Sequence, residues 1–118
     1  MSLVQTGTVE EIWKQIEEKL LEKKSPYADL NTTYEFQLID VEDKKYQLVF
    51  EDGSAAIFDY VEKDPSCILK MKEKYFRKFL LGELNSTTAF MTGKLKVDGN
   101  IGLALKLEGL LKQYDFSN

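Results

Sequence analysis

Few side chains in this sequence could do chemistry. The chain has no histidine and one cysteine, Cys67. Triads that need an imidazole base and zinc sites built on histidine are therefore excluded. A lone thiol closes no intramolecular disulfide and builds no cysteine zinc cluster. Carboxylates, lysines and tyrosines are what is left. Glu10-Glu11 and Glu17-Glu18 set carboxylates side by side, the pairing that acid–base catalysis uses. At those spacings, however, they read as helix surface and capping. Lys94 and Lys96 could meet a carboxylate or a phosphate, but they read equally well as the solvated face of a strand. Cys67 has no readable cationic cluster beside it, so it reads as a small buried apolar residue. No catalytic set, metal site or cofactor motif emerges, and the chain is expected not to be an enzyme.

The balance of the 118 residues narrows the partners. Sixteen basic against twenty acidic residues give a net charge of −4, which argues against a nucleic-acid partner. Arg77 is the only arginine, so bidentate phosphate clamps are scarce as well. Hydrophobic residues make up 43%, with seven Phe and six Tyr, so the chain can bury a core and is expected to be one domain, 1–118. No apolar run approaches the length that spans a bilayer. Met1 to Gly7 lacks the charged and apolar regions of a signal peptide, and Phe116-Ser117-Asn118 is not a Ser-Lys-Leu type address. The expected compartment is the cytoplasm, with at most transient membrane contact.

The positioning elements can be read from periodicity. Thr8 and Glu11 form a capping-box signature, and Val9, Ile12, Trp13, Ile16 and Leu20 share one helical stripe that ends before Pro26. Alternation predicts strands over 33–41, from Tyr46 to Phe50 and over 55–61, the last two joined by a tight turn at Asp52-Gly53. Residues 66–71 read as a short fourth strand or a helix start, with the strand favoured. Tyr75, Phe76, Phe79 and Leu80 share a helix face stopped by Gly82, and Asn85 or Ser86 caps a short helix with Ala89, Phe90 and Met91. Leu95 and Val97 belong to a fifth strand ending at Gly99, and Asn100 caps a closing helix reaching about Tyr114. The sum is an α+β fold with helices over one sheet face.

The closing helix is more apolar than a covering helix needs to be. Leu103, Leu107, Leu110 and Leu111 mark a core stripe. Ile101 and Leu105 extend the apolar arc to roughly 220°, where about 100° suffices. That second flank either packs on neighbouring helices or borders an apolar cavity. Trp13, Phe76, Phe79 and Phe90 are core candidates first and cavity walls second.

The segment from Ala89-Phe90-Met91-Thr92-Gly93-Lys94-Leu95-Lys96-Val97 through Asp98-Gly99-Asn100-Ile101-Gly102-Leu103-Ala104-Leu105-Lys106-Leu107 resembles the C-terminal signature of the sterol carrier protein 2 family. Gly53, Asp64-Pro65-Ser66-Cys67 and Gly82-Glu83-Leu84-Asn85 fall where that family has similar features. Where the family often has Met, this chain has Ile101 and Leu105, both still apolar. The resemblance implies a five-stranded, mostly antiparallel sheet covered by helices that enclose a hydrophobic tunnel. It also implies reversible, non-catalytic binding of fatty acid, fatty acyl-CoA, sterol or a similar lipid.

The ligand-binding residues expected on this basis are Ile101, Leu105, Phe76, Leu80, Phe90 and Trp13. A 16-carbon chain offers roughly 12 kcal/mol of gross burial, against about 8 kcal/mol net for micromolar binding. No ionic anchor is obligatory. The alternative is an interaction or dimerisation module that buries the same apolar flank against a partner chain; neither lipid identity nor oligomeric state is legible.

Overall fold

Reciprocal hydrogen bonds start the first long helix of the computed structural model, which describes residues 2–41 and 44–116. The Thr8 amide donates to Glu11 Oε1 (2.9 Å) and the Glu11 amide to Thr8 Oγ1 (3.1 Å), so two orphan donors are satisfied at once. A one-turn helix not foreseen in the sequence, α1 (Leu3–Thr6), precedes it, capped by Ser2 and Gln5. Arg77, the lone arginine, donates to the Val4 carbonyl at 3.0 Å and fixes α1 to the body of the fold. The capped helix, α2 (Val9–Glu22), buries Val9, Ile12, Trp13, Ile16 and Leu20, the stripe that its spacing predicts. A 3-10 turn, Ser25–Tyr27, follows.

Five strands form one sheet: β1 (Thr32–Leu38), β2 (Lys45–Glu51), β3 (Ser54–Phe58), β4 (Cys67–Met71) and β5 (Leu95–Gly99), in the spatial order β3-β2-β1-β4-β5. Asp52 and Gly53, both at positive φ (51° and 77°), make the tight β2–β3 turn, the backbone hand that matches strand twist. β1 and β4 run parallel, with Tyr34 beside Cys67 and Leu38 beside Met71; every other pairing is antiparallel. The expected five-stranded, mostly antiparallel sheet is present, and β1–β4 is its parallel pair. Between β1 and β2, Glu42 and Asp43 lie outside the described residues.

On the inner face, Tyr34, Phe36 and Leu38 join Tyr46, Leu48 and Phe50, with Cys67, Leu69, Met71 and Leu95, all buried. The helices α2, α3 (Glu73–Leu80), α4 (Ser86–Met91) and α5 (Ile101–Leu111) complete this core. Gly99 sits where two backbones meet. At φ 108° a Cβ there would lie 2.8 Å from the Ser66 carbonyl oxygen, so β5 reaches β4 only through a glycine.

The other face of the sheet is covered by chain as well. Gln47, fully buried in β2, accepts from the Glu62 and Lys63 amides (2.9 and 3.0 Å) and donates to the Lys63 carbonyl (2.8 Å). It also donates to Glu35 Oε1 at 3.0 Å. The β3-to-β4 connection thus crosses the outer face and closes on Thr33, whose carbonyl accepts from the Ser66 amide. This crossing explains why β3 stops at Phe58 instead of continuing to Val61. β1 likewise stops short of Val41, because the chain turns there and the Val41 amide bonds the Leu38 carbonyl.

α5 ends at Leu111, three residues before the expected Tyr114. The following chain bends toward α2, where the Tyr114 hydroxyl donates to the Lys23 carbonyl (2.6 Å) and Lys23 Nζ donates to the Gln113 carbonyl (3.0 Å). The core stripe of α5 is also rotated from the expected one. Ala104, Leu107, Glu108, Leu110 and Leu111 are buried, whereas Leu103 is only partly so.

Candidate functional site

The rotation of α5 has a polar cause. Glu108 turns inward and its Oε1 accepts from the buried Ser86 amide at the start of α4 (3.2 Å), while Lys112 Nζ lies 3.2 Å from Oε2. Burial alone would raise the pKa of Glu108; the contacts from Ser86 and Lys112 outweigh it and leave the pKa below the ordinary carboxylate value. Ile101, Leu105 and Glu108 recur at helical spacing, so the Glu108–Ser86 bond turns this flank of α5 toward α4. Asn85 caps α4 by accepting from the Thr88 amide (3.0 Å), and Asn100 caps α5 by accepting from the Gly102 amide (2.7 Å).

The flank is not fully covered. Ile101 is partly buried, and Leu105 is 41% exposed. On α4, Phe90 is 45% and Met91 78% exposed. Phe90, a core candidate by its sequence, therefore lies at the surface, although Ser86 and Ala89 of the same short helix are buried. Lys94 and Lys96 are exposed, with Lys94 Nζ 5.7 Å from the Tyr75 ring centre.

Trp13, Phe76 and Leu80 form the second group, and they lie inside. The Trp13 ring stacks on Tyr46 (5.0 Å) and Phe76 (5.2 Å) and meets Phe36 edge-on (5.2 Å). Such aromatic contacts add to what area burial alone supplies. The six expected ligand-binding residues thus split between the interior and the α4–α5 flank. Met91 was not among them, although the Ala89-Phe90-Met91 run carried the signal.

A cleft of about 230 Å³ opens at the other end of the aromatic cluster. Trp13, Ile57 and Phe58 are its apolar lining, and Glu10, Tyr46, Asp59 and Tyr60 bring polar groups. No local pattern foretells it, because it depends on how α2 crosses the β2–β3 hairpin. Burial, with Glu10, Asp59 and Glu73 nearby, pushes the Tyr46 hydroxyl up to about 12.

Burial, with Asp98 nearby, pushes the Cys67 thiol up to about 11, which suits a packing residue better than a nucleophile. Among the described residues, no group of three or more Cys, Asp and Glu could hold a metal ion, and no helix is long and apolar enough to cross a membrane.

A family model, the SCP-2 sterol transfer family, matches residues 13–112. The chain belongs to that family. Sterol carrier protein 2 of Rattus norvegicus is 30% identical over 108 residues, covering 88% of this chain and 20% of that protein. The chain spans about a fifth of the length of the sterol carrier protein 2 relatives it matches. Two solved structures of the family share the fold. The apo form from Yarrowia lipolytica superposes with a TM-score of 0.71 at 23% identity, covering 91% of each chain. Sterol carrier protein-2 from Aedes aegypti, in complex with the C16 fatty acid palmitate, gives 0.68 at 18% identity, covering 98% of this chain and all of that one. The resemblance carried by residues 89–107 in the sequence therefore holds for nearly the whole chain.

Proposed function

We propose that this chain is a non-catalytic intracellular carrier that binds fatty acid, fatty acyl-CoA, sterol or a similar apolar ligand between its sheet and its C-terminal helices. The observation that carries the reading is α5. It is apolar on more than its core side, and its Ile101–Leu105 flank, with Phe90 and Met91 of α4, is left partly uncovered. Exposing large apolar side chains next to one another is unfavourable unless something covers them. The family match and the palmitate complex of the Aedes aegypti relative support a lipid in that role.

The expected tunnel has a mechanical requirement here. Trp13, Phe76 and Leu80 already fill the space under the helices, so an acyl chain enters by parting α4 and α5 from the sheet. The short α4 and its polar tie to α5, Glu108 to Ser86, form the natural hinge. The six residues Ile101, Leu105, Phe76, Leu80, Phe90 and Trp13 then serve as the wall, the first two with Phe90 at the mouth and the others inside.

Native mass spectrometry of the purified protein, before and after addition of palmitate, tests the reading. A monomer carrying one lipid, or taking up one palmitate, is the expected result. A dimer that holds and accepts no lipid would instead assign the α4–α5 flank to a second copy of the chain.

A further inference from the structure

The cleft at Trp13 combines features that a plain apolar groove lacks. Among the described residues the Trp13 Nε1–H is buried without a hydrogen-bond partner, and such a donor is costly to leave unmet. The Tyr46 and Phe76 rings both stack on the indole, at 5.0 and 5.2 Å. The lining carries two carboxylates, Glu10 and Asp59, and no cation. Beside it, Lys44 Nζ stands 3.9 Å from Glu10 Oε1, and the Tyr46 hydroxyl donates to the same oxygen at 3.5 Å.

A ligand group that completes this set must accept one hydrogen bond and donate another while bearing no negative charge. A hydroxyl does so; a carboxylate or phosphate cannot. We propose that the cleft holds the hydroxyl end of a neutral amphiphile, accepting from Trp13 Nε1–H and donating to Glu10 or Asp59. Because Nε1 is covered, the hydroxyl reaches it by displacing neighbouring side chains, of which Glu10 and Tyr60 are exposed. At about 230 Å³ the cleft is smaller than pockets that enclose whole ligands. It therefore takes the polar end, and the apolar remainder runs inward along the aromatic cluster. The inference rests on the lipid-carrier reading and narrows it, favouring alcohols over fatty acids and acyl-CoA.

Trp13 is the only tryptophan, so its fluorescence reports on the cleft and on the aromatic cluster it adjoins, while calorimetry reports binding anywhere. Titrations at pH 8 with 1-dodecanol, dodecanoate and dodecylammonium separate the outcomes. Dodecanol is expected to shift Trp13 emission and to bind at least tenfold more tightly than dodecanoate. The double variant Glu10→Gln, Asp59→Asn, at two exposed positions, should narrow that gap by tightening dodecanoate. Equal or tighter binding of dodecanoate by the native protein overturns the assignment, as does dodecylammonium binding tightest of the three. Calorimetric binding of dodecanol without a change in Trp13 emission overturns the cleft but leaves the carrier. If none of the three binds by calorimetry, both readings fall.

Discussion

Glu108 shows how much one side chain decides. It is a carboxylate in a helix that is otherwise apolar toward the core, and it sets both the rotation of α5 and the seat of α4. Glu108→Ala would leave the buried Ser86 amide without its acceptor, at a cost of about 1–3 kcal/mol. Glu108→Gln keeps an acceptor and loses only the charge and the Lys112 pair, so it should cost less. The pH dependence follows from the direction of the shift. The folded pKa lies below the ordinary value, so the charge-dependent stabilisation is complete above the unfolded pKa and is lost as pH falls through the folded one. Urea denaturation at pH 7 should separate native protein from Glu108→Gln, and at a pH below the carboxylate range the two midpoints should converge. A gap that persists at low pH would mean that the charge has no part in it.

At the scale of elements, the sequence was legible wherever local chemistry and pattern agree. The Thr8–Glu11 box, the Asp52-Gly53 turn, the Asn100 cap and the Leu95–Gly99 strand stand where capping and alternation place them. What was hidden depends on distant chain. The end of β3 is set by Gln47 holding the Glu62 and Lys63 amides, and the end of α5 by Lys23 and Tyr114. The rotation of α5 needed Ser86, and the burial of Trp13 and Phe76 apart from Phe90 and Leu105 needed the packing of α3 and α4. The family signature pointed to Ile101 and Leu105 but not to which neighbours they face. Ile101 is the first residue after the Asn100 cap, and a negative charge in that first turn favours a helix. Ile101→Asp should therefore keep the fold, while placing a carboxylate at the mouth of the proposed lipid site, which is unfavourable for an apolar ligand. Unchanged circular dichroism with palmitate affinity reduced about tenfold or more is the expected pair of results. Undiminished affinity in the folded variant would move Ile101 out of the site.

For the molecule as a whole, the proposed carrier function raises the question of what becomes of a binding space when it is empty. An apolar void costs about 24 cal/mol per Å³ in core-truncation experiments. A rigid hole of roughly 400 Å³ would then cost on the order of 10 kcal/mol, as much as a domain of this size has to offer. The structure resolves the conflict by filling the space: Trp13, Phe36 and Phe76 interlock under the helices, and the apolar surplus moves outward to Phe90, Met91 and Leu105. Two packings are implied, one closed on its own aromatic residues and one open around a chain. The lipid shifts the balance only by binding the open packing and not the unfolded chain. At a ligand concentration 100 times the dissociation constant this linkage supplies about 2.7 kcal/mol, enough to raise the melting temperature by several degrees. Delipidated protein should therefore melt lower than protein as purified with its lipid, and a long-chain fatty acid, acyl-CoA or alcohol should restore the difference. The Trp13 emission should change in step, since opening the helices separates the indole from Phe76. If a broad panel of lipids leaves both the melting temperature and the emission where they were, the open packing does not exist, and the exposed flank of α4 and α5 belongs to a protein partner instead.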